Sequence, residues 1–185
     1  MTSSLPRIGF VSLTLVGALI AQAQGLKFTA LEEFEHRFEA KLAQTPPPFP
    51  FEVLFPAPAV YVPGTAVVLS SIVSLAYVQE PSPFRGPYTP KELASFRERK
   101  LQRLPILEQS MREVIVETAS ASSMDPLPPT ERIVLGVTLF YFKWEDSSGL
   151  PRQIVMSAEK QKLLQALRDK DKKVDLSTVI QEQKL

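Results

Sequence analysis

Cysteine and asparagine are absent from the chain, histidine occurs once, as His36, and glycine only seven times. Each scarcity excludes a class of function. Without cysteine there are no disulfides, no thiolate nucleophile, no Cys–His catalysis and no lipidated cysteine to anchor an exported protein, so stability must come from the core alone. One imidazole cannot supply the three or four ligands of a His/Cys zinc site. Without asparagine there is no N-glycosylation acceptor. No two of the seven glycines lie close together, which leaves no Gly-rich cradle for a dinucleotide or a nucleotide phosphate. Charge of one sign is also lacking: 21 basic residues face 20 acidic ones. That balance argues against a general nucleic-acid binder and against a polybasic membrane-surface protein.

The chain opens with Arg7, an uncharged and mostly apolar run over residues 8–20, and then Ala21-Gln22-Ala23. A basic residue, a short apolar segment and a small-x-small triplet predict a secretory signal peptide over residues 1–23, cleaved after Ala23. The run of about 13 residues falls short of the roughly 20 needed to span a bilayer core. No later run is long and uncharged enough, so the expected mature chain has no transmembrane segment and is periplasmic or secreted. Small-residue cleavage, no disulfides and no lipidated start fit a bacterial source. With 44% hydrophobic and 22% charged residues, the remainder has the composition and size of one globular domain.

Residues 24–45 carry an amphipathic helix, predicted over 29–43. Leu31, Phe34, Phe38 and Leu42 recur at helical spacing, and Thr29 and Glu32 are spaced as a capping box. Residues 46–64 form a proline-rich connector with seven prolines and interleaved Phe49, Phe51 and Phe55. Proline at this density forbids a helix and a central strand, which predicts extended, irregular chain lying against the domain. The α+β core is assigned to residues 65–168. A strand over 65–78 places Val67, Leu69 and Val73 on one face and Val68, Ser70 and Ile72 on the other. After a second proline-rich loop, Thr89, Pro90 and Glu92 are an N-cap, a first-turn proline and a third-position glutamate. The helix they open extends to about residue 119, with Pro105 expected to kink or divide it. A strand over 132–144, a turn at 145–151 and a strand over 152–156 predict a hairpin. Ser157 is expected to cap a short helix reaching about residue 168. The tail, 169–185, admits a docked edge strand, a weak helix or a frayed end. The order α-β-α-β-β-α predicts an α+β fold with a small, mainly antiparallel sheet; the βαβ-like passage from 65 to 132 allows one parallel pair.

Four features invite a functional reading. The 132–144 strand is apolar on both faces, and Phe140, Phe142 and Trp144 mark an interaction surface unless helices and connector cover both sides. Arg97, Arg99, Lys100 and Arg103 on the long helix read as aliphatic stems along the core edge with heads reaching water, or else as a contact for an acidic partner. Glu145 and Asp146 do not pair for glycoside hydrolysis, because adjacent residues at a strand end point to opposite faces, and with Ser147 and Ser148 they read as a solvated turn. His36 lies opposite the apolar stripe of its helix and has no nucleophile elbow to serve.

Taken together, these features predict an exported, non-catalytic domain of the cell envelope that acts by binding or assembly. Its expected partner is another protein, a second copy or a cell-envelope component, not nucleic acid. No catalytic, cofactor-binding or metal residue is assigned. One alternative is an extracytoplasmic hydrolase drawing carboxylates from separate elements: Asp125, Glu131, Glu145 and Asp146. The other is a small-molecule sensor with an apolar cavity under the long helix.

Overall fold

Two apolar alternations, Val67-Leu69-Val73 and Ile133-Leu135-Val137-Leu139, build the middle of the molecule by burying one face each. The structure is a computed structural model that describes residues 26–44, 51–56, 58–78, 87–168 and 176–185. The expected signal peptide, the first prolines of the connector, most of the second proline-rich loop and the charged part of the tail lie outside these residues. The described elements are α1 (Phe28–Ala43), β1 (Glu52–Pro56), β2 (Val60–Val62), β3 (Ala66–Ser74), α2 (Pro90–Ala119), β4 (Arg132–Leu139), β5 (Gln153–Glu159), α3 (Lys160–Arg168) and β6 (Gln181–Lys184), with 3-10 turns at Ser122–Met124 and Leu176–Thr178. The fold is α+β, as the sequence predicts.

The six strands form one sheet in the order β1-β3-β4-β5-β6, with β2 also on β3. β3 and β4 run parallel, in register from Ala66↔Arg132 to Val73↔Leu139, while the other pairs are antiparallel. The sheet is therefore mixed, not mainly antiparallel. The cause is the long crossover through α2, which returns the chain beside β3 in the same direction. The connector is less irregular than its prolines imply. β1 and β2 pair with successive halves of β3 along one edge, where a proline's missing N–H faces no partner strand. A register irregularity between Val53 and Phe55 breaks this edge. The tail supplies β6 at the opposite edge.

All three helices pack on the same face of the sheet: α1 on β1 and β3, α2 on β4 and β5, and α3 on β5. Phe34, Phe38 and Leu42 of α1, and Leu107, Met111, Val114 and Ile115 of α2, close over Val67, Leu69, Ile133, Leu135, Ile154 and Met156 in one core. Each such side chain stabilises the fold by roughly 1.5–3 kcal/mol.

Several local expectations change. At α2 the capping box is complete: Thr89 accepts from the Glu92 backbone, the Glu92 carboxylate accepts from the Thr89 backbone, and Pro90 occupies the first turn. Pro105 does not divide α2, which is one helix on whose outer side this proline is exposed. In α1 no capping box forms; the helix begins one residue earlier, with Lys27 at the N-cap and no side-chain cap. Ser157 is no cap either. It lies within β5, and its hydroxyl accepts a hydrogen bond from Arg132. Lys160, one of the core's buried polar residues, donates to the carbonyls of Met124, Asp125 and Leu127 and so satisfies that turn.

Candidate functional site

The sheet's second face carries none of the described helices. Alternation fixes what it displays: Phe55 from β1, Val60 and Val62 from β2, Val68, Ser70 and Ile72 from β3, Val134 and Thr138 from β4, and Val155 and Ser157 from β5. Phe55 is 67% exposed, Val60 53% and Val62 44%. A sheet open to water on one side ordinarily alternates apolar-in with polar-out. Here serine, threonine and glutamine share the outer rows with valine, isoleucine and phenylalanine, and the apolar side chains concentrate toward the β1/β2 edge.

At one end of this face β4 stops at Leu139, five residues before the predicted end. The amide of Leu139 donates to the carbonyl of Arg152, but the next residue back along the partner segment is Pro151, which has no N–H to extend the ladder. Residues 140–152 form a loop instead, and its three aromatic residues have different placements. Phe140 remains beside the open face and is 36% exposed. Phe142 and Trp144 are half-buried in a ladder of rings. Phe140 meets Phe142 edge-on at 5.0 Å, Phe142 stacks on Trp144 at 5.2 Å, Trp144 meets Tyr88 at 5.0 Å, and Tyr88 meets Phe96 of α2 edge-on at 5.0 Å. The ladder thus runs from the open face around the sheet end to the first turns of α2. Contacts of this kind are worth about 0.5–1.5 kcal/mol each beyond their burial.

Two features read separately in the sequence meet here. Lys100 donates to both oxygens of Glu145, at 2.7 and 2.6 Å, with side chains only 3% and 4% exposed. The expected solvated turn is therefore half wrong, because the Glu145 side chain is buried while Asp146 is exposed. Glu145 also accepts from the Phe142 backbone, and the Lys100 ammonium lies 5.1 Å from the Tyr141 ring centre. Arg97 donates to the Ser148 carbonyl at 2.8 Å and stands 3.6 Å from Asp146. Hydrogen bonds from the Ser148 hydroxyl and backbone, helped by Arg97, hold the Asp146 carboxyl below the usual range. Burial, and then the Glu145 charge, push the Tyr141 phenol up, and its hydroxyl donates to the Pro151 carbonyl. Nor do all the heads of the basic cluster reach water. Arg103 is buried over the Phe51 ring at 4.5 Å and bonds the Leu75 carbonyl. Pairwise matching of Arg97 and Lys100 with the 145–148 tip was not legible, since sequence spacing says nothing about which loop reaches which helix.

Between this loop and the sheet end lies a cleft of about 400 Å³, lined chiefly by Ile72, Thr138, Phe140, Phe142, Lys143 and Arg152. The four candidate hydrolytic carboxylates do not converge on it or on one another. Asp125 and Glu131 precede β4, whereas Glu145 and Asp146 follow it, roughly 25 Å away at the ordinary rise per strand residue. Glu131 is buried, accepting from the Tyr61 hydroxyl and the Gly64 backbone. The His36 side chain is 79% exposed and lies 3.9 Å from the Glu39 carboxylate. Among the described residues, no three His, Asp or Glu side chains cluster as a metal site, and no helix is long and apolar enough to cross a membrane. The chain matches no protein-family profile, no curated protein and no solved structure.

Proposed function

We propose that the protein is an exported, non-catalytic binding domain of the bacterial cell envelope, which engages a partner through the open sheet face and the aromatic cleft at its end. The observation that carries this reading is the one-sided helix layer. It leaves Phe55, Val60, Val62, Val68, Ile72 and Val134 on a face that no described helix covers. Contiguous apolar surface of this kind marks an interaction site more often than a chance exposure. Dispersal of the candidate carboxylates to opposite ends of β4 favours binding over hydrolysis. Export rests on the leader-like residues 1–23.

Two measurements test the reading. N-terminal sequencing of native material is expected to begin at Gln24; a retained Met1 overturns export. Photo-crosslinkable residues placed at Val68 and Val134 are expected to capture a discrete partner or a second copy in cells, whereas the same residue at exposed Gln109 on α2 captures none. Equal capture at the three positions refutes the assignment of the face.

A further inference from the structure

The cleft at the end of the open face has a charge character that the face itself lacks. Lys143 and Arg152 line it, both exposed, and neither has an ion-pair partner among the described residues. The one carboxylate in the lining, Glu145, is committed to Lys100. Asp146 is held by Ser148 and Arg97, and Glu52 lies two strands away on β1, outside the lining. The oxygen of Leu185 accepts from the Arg152 and Gln153 backbone amides and makes no ion pair with the Arg152 guanidinium. The cleft thus holds two cations that have no ion-pair partner among the described residues, in a lining that also includes Phe140, Phe142, Ile72, Thr138 and Ser147.

Resting on the binding role proposed above, we infer that the occupant of this cleft is an acidic, apolar segment of a partner protein, with carboxylates on Lys143 and Arg152 and an aromatic or aliphatic side chain against Phe140 and Ile72. Charge complementarity selects the acidic chemistry, because a guanidinium and an ammonium that no described carboxylate pairs are completed by carboxylates. Continuity selects a polypeptide. Ile72 and Thr138 belong both to the cleft and to the open face, so an extended segment leaving the cleft runs directly onto Val68 and Val134. An anionic membrane surface is the weaker match, since it is held by clusters of four or more basic residues and this end offers two.

Selection of a random peptide library on the purified protein tests the inference, followed by fluorescence anisotropy of the enriched peptides. Enrichment of Asp and Glu together with Phe, Leu or Val is expected. Lys143→Glu/Arg152→Glu is expected to weaken these peptides about tenfold or more and to shift a repeated selection toward Lys and Arg. Both positions are exposed, and an unchanged melting temperature verifies that the reversed protein folds. Absence of enriched peptides, enrichment without acidic bias, or acidic peptides that bind the reversed protein equally well each overturns the inference. So does binding to phosphatidylglycerol vesicles in place of peptides. Val134→Lys separates this result from the broader reading. If acidic peptides bind Val134→Lys normally but not the charge-reversed protein, the cleft stands and the open-face role falls. If binding is lost only in Val134→Lys, the face stands and the acidic partner falls.

Discussion

Removal of the Lys100 ammonium is the sharpest probe of what holds residues 140–152 in place. Lys100→Met keeps the aliphatic stem and helix propensity but leaves the Glu145 carboxylate, 4% exposed, with the Phe142 amide as its remaining partner. Breaking a buried pair by deleting one member costs about 3–5 kcal/mol, because the surviving charge stays desolvated. At about 2–4 °C per kcal/mol for a domain of this size, the melting temperature falls by about 6–20 °C. Lys100→Met/Glu145→Leu removes both charges and leaves the Phe142 N–H without its acceptor, about 1–3 kcal/mol, so the double variant is expected to be no less stable than the single one. Urea unfolding of wild type, both singles and the double closes the cycle, with a coupling energy of about 1 kcal/mol or more. The sole tryptophan, Trp144, stacked between Phe142 and Tyr88, reports on the loop in the same samples. A Lys100→Met protein with unchanged melting temperature and unchanged Trp144 emission refutes the view that this pair fixes the loop.

Three further outcomes are expected. Thr89→Ala removes the capping box of α2 and should lower stability by about 1 kcal/mol in chemical denaturation, with Thr89→Ser restoring it. Gly64→Ala should cost about 1–2 kcal/mol from its φ of +76° alone, since nothing stands within 4 Å of the added methyl; a neutral result would show that the turn relaxes. The Asp146 carboxyl sits below its ordinary range in the folded state, so its contribution is complete above the unfolded value of about 3.9 and is lost as pH falls through the lower, folded value. Melting temperatures measured from pH 7 to pH 3 should therefore drop less steeply at the acid end for Asp146→Asn than for wild type.

Local chemistry was legible wherever a few neighbouring residues decide the outcome. Thr89, Pro90 and Glu92 settle the start of α2 among themselves, and the alternation of Val67, Leu69 and Val73 settles which face of β3 is buried. Decisions made over distance were not. Ser157 has the side chain of a helix cap, yet pairing of β5 with β4 and β6 holds it in a strand. The aromatic run after Leu139 has every β preference, yet Pro151 ends the ladder and the Lys100–Glu145 pair draws the chain off the sheet. Phe140, Phe142 and Trp144 stood out because of their residue type, but the division between Phe140 beside the open face and the other two in the ring ladder depends on Tyr88 and Phe96. Those rings lie more than forty residues away in sequence.

The sheet edges favour the open face over a free strand as the surface of the proposed binding role. An exposed edge invites pairing with another chain unless prolines, bulges or charges blunt it. On the β1/β2 side the edge is broken by Pro56, Pro58, Pro63 and the irregularity between Val53 and Phe55. On the β6 side Lys184 bridges Glu108 at 2.7 Å and Glu182 at 3.2 Å, and Arg112 pairs with Glu182, which ties the last strand to α2 through four alternating charges. Strand addition at either edge must displace one of these devices, whereas Val68, Ile72 and Val134 lie on a face that no described helix covers. Under the proposed binding role, the apolar rows of the face would serve recognition without opening the sheet to uncontrolled pairing, and a partner seated there would reach Lys143 and Arg152 at the end of the same surface.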